Sequence, residues 1–388
     1  MKVAVMGGRL QGVEAAYLAQ KAGWQVVLVD KDPDAPAVGI CDSFRQFDLT
    51  DNDRLLELCK EVQFIIPALE DVIVLENICR CARKAGVKVV YDPQAYLLSS
   101  SKINSDKLFA ALGIFAPKPW PFCDFPLTLK PSGASGSKNV YQVNSSAELD
   151  ALTQKLDDTE DWVKQEFLEG PSYSIEVVGC NGTYQPFQVT ELEIDSGYDC
   201  KRVLAPAKLA VEKVRQFEEI AVTIARKINL NGIMDVEVIL HDDKLKVLEI
   251  DARLPSQTLT AVYKSTGVNV LEVLWSGSLL DNAQSDYKTS GVQGVIYEHI
   301  KVTGERLEVF GEHIMAHVGH LRLYENFFGA DEAISNYRED KKEWVATLIV
   351  TGKDCEMAWE RRCAVIKKIM DTFAIPEYRD LTPQTLFG

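Results

Sequence analysis

Residues 232–240, GIMDVEVIL, and residues 244–253, KLKVLEIDAR, indicate the fold and the chemistry of this chain most strongly. Each segment is an apolar run interrupted by acidic residues, and a short polar turn separates the two. Two such runs joined by a short turn are typical of an antiparallel β-hairpin. Side chains two residues apart in a strand point to the same face, so Glu249 and Asp251 share a face. The sequence therefore predicts a hairpin that carries acids on one face.

The acids of this hairpin indicate a cation site. Glu237, Glu249 and Asp251 lie among apolar residues, where carboxylates are costly unless cations neutralise them. A site built from oxygen ligands favours Mg²⁺ over zinc. Asp235 is placed to hold a substrate ammonium, and Arg253 is placed to hold a phosphoryl or carboxylate oxygen. The alternative, a charge ladder on an exposed hairpin, fits poorly with the apolar neighbours of each acid.

Two lysines and a glycine/serine segment indicate polyphosphate binding. Lys102 precedes a predicted helix over residues 106–112, and Lys130 ends an apolar strand just before the segment 131–137, PSGASGS. Ammonium groups and loop amides both suit phosphate oxygens, although either lysine alone would more often be a solvated surface charge. The following segment 163–170, VKQEFLEG, could receive an adenine ring along its backbone. Taken alone, this segment is better explained as part of an ordinary amphipathic hairpin.

The amino-terminal glycines form a second candidate site. Residues 7–12, GGRLQG, follow an apolar strand and lead into a helix, whose N-terminus favours anions. Asp30 ends the next strand, where dinucleotide-binding folds place a ribose-binding acid. The spacing is GGxxxG, however, and not the GxGxxG of a nicotinamide site. The glycines could also serve only close packing between strand and helix.

Composition excludes several classes of protein. The chain has 388 residues, 46% of them hydrophobic, and a net charge of −15. A globular protein of two or three domains is expected, without a broad surface for nucleic acid or anionic membranes. We found no apolar stretch near the roughly 18–20 residues that a membrane span needs. Nine irregularly spaced cysteines favour reduced thiols and a cytoplasmic location.

Strand and helix patterns predict an α/β protein with three parts. Residues 1–95 alternate strands and helices as a Rossmann-like, doubly wound sheet does. Residues 96–280 mix antiparallel strands with helices in a central α+β domain, and residues 117–170 would form its mobile lid subdomain. Residues 281–388 would form a smaller carboxy-terminal α+β domain.

Three histidines, His313, His317 and His320, have a spacing close to that of metal ligands. The HExxH motif of zinc proteases is absent, so surface or strand-edge histidines are the preferred interpretation. Neither a GxSxG nucleophile turn nor a convincing Cys–His pair stands out.

The ordered set of Lys102, Lys130, residues 165–170, Glu237 and residues 249–253 resembles the ATP-grasp superfamily of carboxylate–amine ligases, over most of residues 1–280. Three segments further resemble one family within it, the 3-methylornithine–lysine ligases of pyrrolysine biosynthesis. They are residues 8–18, GRLQGVEAAYL, residues 232–237, GIMDVE, and residues 250–258, IDARLPSQT. Residues 198–200, 296–299 and 311–312 extend the likeness into the last domain.

The resemblance implies roles for individual residues. Glu237, Glu249 and Asp251 would bind two Mg²⁺ ions, although ATP-grasp enzymes usually have asparagine where this chain has Asp251. Lys130 and Arg253 would be catalytic. The implied ATP site consists of Arg9, Asp30, Asp48, Leu49, Lys102, Lys130, Glu166, Phe167 and Leu168. Lysine would be surrounded by Leu10, Gln11, Glu70, Thr258 and Glu312. The methylornithine would be surrounded by Asp235, Pro255, Ser256, Gln257, Thr258, Leu259 and Thr260.

The implied reaction is ATP-dependent. The carboxylate of 3-methyl-D-ornithine would be phosphorylated to an acyl phosphate, which the ε-amine of L-lysine would then attack. Two alternatives stay open: an ATP-grasp ligase with other substrates, and a nicotinamide-dependent amino-acid dehydrogenase that uses the amino-terminal glycines. The sequence leaves open the oligomeric state and the base that deprotonates the lysine amine.

Overall fold

The structure is a computed structural model that describes residues 1–136, 139–156, 161–277 and 292–382. Parts of several predicted features lie outside these residues: Ser137 of the glycine/serine segment, parts of the predicted lid at 117–170, the predicted domain limit at residue 280, and both ends of the predicted domain 281–388. In the described part of the chain, none of the helices has the length and apolarity needed to cross a membrane. All nine cysteines are free in the structure.

A five-stranded parallel sheet forms the amino-terminal part, with the strand order β3-β2-β1-β4-β5. Its strands are β1 (Lys2–Met6), β2 (Gln25–Asp30), β3 (Ser43–Gln46), β4 (Phe64–Pro67) and β5 (Lys88–Val89). The connecting helices are α1 (Leu10–Lys21), α2 (Asn52–Cys59) and α3 (Val72–Ala85). Val3 packs in the same apolar cluster as α1, whereas Ala4 packs with α2 and α3. Both faces of the sheet are therefore covered, as its nearly continuous apolar strands predict.

The turn after β1 requires glycine. Gly7 has φ +103°, and a Cβ at this position would lie 2.4 Å from the carbonyl oxygen of Ala68, at the end of β4. Sheet order reverses between β1 and β4, which is where open α/β sheets leave a crevice. This close approach brings the start of α1 next to Glu70, and Gln11 Nε2 donates a hydrogen bond of 2.8 Å to Glu70 Oε1.

Two helices and a small sheet follow. The elements are α4 (Pro93–Ser99), α5 (Lys102–Leu112), β6 (Leu127–Pro131), β7 (Tyr141–Val143), α6 (Ser146–Thr153) and β8 (Trp162–Glu166). The small sheet has the order β7-β6-β8 and is antiparallel. The predicted helix at residues 106–112 begins earlier than expected, because Ser101 caps it by accepting a hydrogen bond from Asn104 N. Lys102 is therefore the first residue of α5 and does not precede the helix.

The remaining strands join one mostly antiparallel sheet of twelve strands, whose central path is β14-β13-β9-β11-β12-β15-β19-β18-β17. The first group of strands is β9 (Ser172–Cys180), β10 (Thr183–Pro186), β11 (Thr190–Ile194), β12 (Cys200–Ala205), β13 (Gly232–His241) and β14 (Lys244–Asp251). The second group is β15 (Gly294–Val302), β16 (Arg306–Val309), β17 (Arg322–Glu325), β18 (Glu332–Ser335), β19 (Trp344–Gly352) and β20 (Glu377–Asp380). The helices are α7 (Val211–Lys227), α8 (Thr258–Thr266), α9 (Val270–Ser276) and α10 (Cys355–Phe373).

The predicted hairpin is β13–β14. Its two-residue turn, Asp242 and Asp243, has positive φ at both positions, +47° and +58°. This backbone twist matches the twist of the two strands. Register across the hairpin pairs Glu237 with Glu249 and Asp235 with Asp251. The acids predicted to share a site are therefore direct cross-strand neighbours.

Candidate functional site

A cavity of about 260 Å³ lies between the small sheet and the β13–β14 hairpin. It collects most of the residues that the sequence analysis had singled out. These are Lys102, Lys130, Glu166, Phe167, Leu168, Asp235, Glu237, Glu249, Asp251, Arg253, Pro255, Ser256, Gln257, Thr258 and Glu312. These residues lie before, within and after the predicted lid segment, and Glu312 belongs to the carboxy-terminal part. The cavity is therefore assembled by the tertiary fold and not by the local sequence.

Some predicted residues do not line this cavity: Arg9, Leu10, Gln11, Asp30, Asp48, Leu49, Glu70, Leu259 and Thr260. Asp30 accepts hydrogen bonds of 2.7 Å from Gly8 N and 2.9 Å from Asp32 N, within the amino-terminal sheet. Leu49 packs in the apolar cluster of that sheet. Leu259 is fully buried because α8 turns it into the core. The roles that the resemblance gives to these residues stay predictions.

The acids of the hairpin disfavour one another's charge. Desolvation raises the pKa of Glu237 to about 8, and repulsion from the Glu249 and Asp251 carboxylates adds to the shift. Desolvation also raises the pKa of Asp251 to about 6, although Arg253 opposes the shift. For Asp235, desolvation and the charge of Asp251 raise the pKa well above its ordinary value. Carboxylates held this close in a low-dielectric wall need cations to remain charged together.

Two lysines supply part of that positive charge. Lys102 Nζ lies 3.1 Å from Glu249 Oε2. Desolvation opposes the charge of Glu249, but Lys102 and Lys130 outweigh it, so the pKa of Glu249 is lowered. Lys130 is itself buried, and desolvation lowers the pKa of its ammonium. Both lysines therefore stand beside the acids, as phosphate binding next to a metal would require.

Arg253 connects the hairpin to the amino-terminal sheet. Its Nη2 donates a hydrogen bond of 3.0 Å to Asp251 Oδ2, and its Nε lies 2.8 Å from Glu70 Oε1. Glu70 also accepts hydrogen bonds from Gln11 and from the hydroxyl of Ser135. Glu70 and Gln11 thus reach the edge of the cavity through Arg253, although neither lines it. The arrangement positions a guanidinium next to the acids of the β13–β14 hairpin.

The donor set fits Mg²⁺, whose ligands are carboxylate and other oxygens. As the side chains stand, no three Asp, Glu, His or Cys side chains among the described residues are grouped closely enough to hold a metal ion. Glu249 is turned towards Lys102, and Asp251 is turned towards Arg253. A metal ion bound by these acids would therefore compete with Lys102 for the carboxylate of Glu249.

The glycine/serine segment at residues 132–137, called the flap below, is described as far as Gly136. Lys102 Nζ donates a hydrogen bond of 2.6 Å to the carbonyl of Ala134. A Cβ on Gly136, which has φ +64°, would lie 2.7 Å from His313 Nε2. The other ring nitrogen, Nδ1, lies 2.7 Å from Asp199 Oδ2. Side chains distant in sequence thus hold the flap over the cavity.

Sequence reasoning missed several residues of this site. His313 was interpreted as a surface histidine, and Asp199 was given no role of its own. Glu176, a fully buried acid on β9, was given no role. An acid in the middle of an apolar strand was the available signal, the same one that identified Glu237.

The wall that was expected to receive adenine has its own charge pair. Glu166 ends β8, and its carboxylate accepts hydrogen bonds of 2.7 Å from Lys246 Nζ and 3.1 Å from Lys118 N. Desolvation opposes the charge of Glu166, but these donors outweigh it and its pKa is lowered. Phe167 and Leu168 follow in the same wall. Apolar side chains beside a fixed strand end can accommodate a flat ring.

Comparisons with known proteins agree with this geometry. A family profile for the ATP-grasp domain matches residues 100–257, and one for the PylC-like N-terminal domain matches residues 3–90. The 3-methyl-D-ornithine–L-lysine ligase of Methanosarcina barkeri is 33% identical over 96% of this chain and 98% of its own length. The chain belongs to the 3-methyl-D-ornithine–L-lysine ligase family. The enzyme of the same name from Methanosarcina mazei is 32% identical over 93% of each chain.

Solved structures show that the fold of this family is shared more widely. The biotin carboxylase domain of Hydrogenobacter thermophilus 2-oxoglutarate carboxylase superposes with a TM-score of 0.73, at 16% identity, over 94% of this chain and 89% of that domain. An L-amino acid ligase from Bacillus licheniformis superposes with a TM-score of 0.67, at 14% identity, over 95% of this chain and 97% of the ligase chain. These similarities confirm the ATP-grasp fold that the sequence predicted.

Proposed function

We propose that this chain is an ATP-dependent ligase that joins the carboxylate of 3-methyl-D-ornithine to the ε-amine of L-lysine. Two curated relatives carry this name at 32% and 33% identity, along nearly the whole chain. The observation that carries the proposal is the cavity, in which two lysines and the paired acids of the hairpin face one another. A nicotinamide-dependent dehydrogenase reaction would give the charged residues of this cavity no function.

The reaction has two steps. The methylornithine carboxylate attacks the γ-phosphorus of ATP, and ADP leaves, which gives an acyl phosphate. The lysine ε-amine then attacks the acyl carbon, phosphate leaves, and the amine loses a proton. Phosphoryl transfer needs positioning and charge neutralisation more than covalent help from the protein.

The chain's own residues would supply that positioning. Lys102 and Lys130 hold phosphate oxygens as point charges, and Arg253 holds an oxygen of the acyl group or of the phosphoryl group. Glu237, Glu249 and Asp251 would hold Mg²⁺, which when bound would supply charge neutralisation and orientation of the phosphoryl group; two ions are proposed.

Water must be excluded because an acyl phosphate hydrolyses readily. The flap covers the cavity through the contacts of Ala134, Ser135 and Gly136 described above, and a closed flap protects the intermediate. The cationic amino-acid substrates suit the acidic groups of the wall, including Asp235 and Glu312. Desolvation raises the pKa of Glu312, whose Oε2 accepts a hydrogen bond of 2.7 Å from Ser256 Oγ.

A coupled assay tests the proposal. The protein is incubated with MgATP, D-ornithine and L-lysine, and ADP and the dipeptide are followed by mass spectrometry. ADP and dipeptide should form together, and omitting either amino acid should prevent dipeptide formation. ADP release that depends on neither amino acid, with no dipeptide, would contradict the proposed function.

A further inference from the structure

A buried acid of the amino-terminal part caps a helix that lies far away in the sequence. The first N–H groups of an α-helix such as α8 have no acceptor within the helix. In the described structure the N-cap residue of α8, Gln257, makes no capping hydrogen bond with its side chain. The carboxyl group of Glu14, on α1, accepts hydrogen bonds of 2.7 Å from Thr260 N and 2.8 Å from Thr260 Oγ1. The start of α8 is therefore capped by a residue 246 positions earlier in the chain.

Both helices adjoin segments that are expected to hold substrate. Residues 255–258 line the cavity at the start of α8, where the methylornithine is expected. Gln11 lies one helical turn before Glu14 on α1 and donates a hydrogen bond to Glu70, which contacts Arg253 in the cavity wall. Lysine is expected beside Gln11 and Glu70. Glu14 thus joins two segments that approach the cavity from different parts of the chain.

The contact between Glu14 and α8 is the tie between these two segments. Both of its partners are fully buried, and a buried donor that loses its acceptor costs free energy. The segment before α8 has other contacts of its own: Ser256 donates a hydrogen bond of 2.7 Å to Glu312, and Gln257 Oε1 lies 3.3 Å from His299 Nε2. Loss of the Glu14 carboxyl group would leave these contacts in place and release the tie to α1.

We propose that Glu14 is a positioning residue, which fixes the start of α8 relative to α1 so that the acyl phosphate faces the ε-amine of lysine. This inference rests on the proposed function and deepens it. Reacting atoms must be held about 3–3.5 Å apart, and a misplacement of about 1 Å can cost about 100-fold in rate. A shift of α8 against α1 slows the attack by lysine more than the earlier attack on ATP, because only the second step needs both amino acids. Water then competes with lysine for the acyl phosphate.

The Glu14→Met variant tests the inference, because methionine has nearly the length of glutamate but is only a weak hydrogen-bond acceptor. The protein is incubated with MgATP, D-ornithine and L-lysine, and the ADP formed per dipeptide is measured. This ratio should rise at least about threefold in Glu14→Met. The extra ADP should require D-ornithine, because it comes from acyl phosphate that water has hydrolysed. Glu14→Gln keeps an acceptor for Thr260 and should have nearly the wild-type ratio.

Two further variants complete the test. Glu191→Met is the matched control, because Glu191 lies in β11 outside the cavity and its carboxylate also accepts a hydrogen bond from a backbone N–H, that of Lys208, at 3.3 Å. This control should leave the ratio of ADP to dipeptide unchanged. Thr260→Val removes the hydroxyl donor and keeps the backbone N–H, so it should raise the ratio by less than Glu14→Met does.

The outcomes separate the two proposals. If the wild-type protein forms no dipeptide, the proposed function falls and this inference falls with it. If the wild-type protein forms the dipeptide, and ADP and dipeptide decrease together in Glu14→Met, the residue is only structural and this inference alone falls. An unchanged ratio in Glu14→Met, or in Thr260→Val where Glu14→Met does not fold, overturns it too. So does extra ADP that forms without D-ornithine, or a Glu14→Gln ratio as high as that of Glu14→Met.

Discussion

Replacing Glu14 with glutamine should make the protein more stable at alkaline pH. Glu14 is fully buried on α1, and its carboxyl group accepts hydrogen bonds of 2.7 Å from Thr260 N and 2.8 Å from Thr260 Oγ1. Burial is the main reason that its pKa rises to about 8 from an ordinary value of 4.5. Glutamine keeps the shape and an acceptor oxygen, and it carries no charge at any pH.

The sign of the effect follows from proton binding. Between pH 4.5 and 8 the folded protein keeps the proton on Glu14, whereas the unfolded chain releases it. The free energy of unfolding therefore falls as pH rises through this range and is constant above it. A difference of 3.5 pKa units, from 8 minus 4.5, corresponds to at most about 5 kcal/mol at 1.36 kcal/mol per unit. Glu14→Gln removes this loss of stability. The other buried acids are present in both proteins, so their contributions to the free energy of unfolding cancel in the comparison.

Thermal unfolding at pH 5 and pH 8.5 measures the effect. For a chain of 388 residues, 1 kcal/mol shifts Tm by about 1 °C. Glu14→Gln and wild type should have similar Tm values at pH 5, and the variant should be more stable at pH 8.5 by up to about 5 °C. A Tm difference that is the same at both pH values would refute the argument, because it would mean that Glu14 ionises normally in the folded protein.

Three further predictions concern the cavity. Glu249→Gln should lower dipeptide formation by at least about 100-fold while Tm changes little, and unchanged turnover would refute its proposed metal role. The affinity for Mg²⁺, measured by calorimetry, should increase between pH 6.5 and 8.5. The pKa of Glu237 is about 8, so at the lower pH Mg²⁺ must displace a proton from this carboxyl group. An affinity that does not depend on pH would contradict this prediction. Gly136→Ala should increase the ADP formed per dipeptide, because alanine is strained at φ +64° and its Cβ meets His313. Adding His313→Ala to this variant should partly restore the ratio of ADP to dipeptide. If the effects of the two substitutions on this ratio are additive, residues 136 and 313 do not touch in solution. Gly133→Ala is the control, because a Cβ at this position has open space around it, and it should change the ratio less.

Much of the fold could be predicted from patterns of apolar residues alone. The strand before Gly7, which is β1, the strand that ends at Asp30, which is β2, and the hairpin β13–β14 lie close to where the sequence puts them. Strand β3 was missed, since residues 43–46, SFRQ, are mostly polar and lie at the sheet edge. The start of α5 was placed too late because the capping role of Ser101 was overlooked.

The site was partly predictable for the same reason. A period of two puts Glu249 and Asp251 on one face, and the hairpin brings Glu237 opposite Glu249 without any further information. Contacts between distant segments could not be predicted in this way. The approach of His313 to Gly136 joins parts of the chain that are far apart in sequence, and only the packing of the carboxy-terminal part against the flap brings them together.

Lys102 connects two parts of the site that would otherwise act separately. Two of the three N–H donors of its ammonium group are used, one towards Glu249 Oε2 and one towards the carbonyl of Ala134 in the flap. The charge of the hairpin acids and the position of the flap are therefore coupled through the side chain of Lys102. A metal ion bound by Glu249 would take away the carboxylate partner of Lys102, which would free its ammonium group for a phosphate and change its contact with Ala134. Movement of the flap is thus expected to accompany the binding of a metal ion by Glu249.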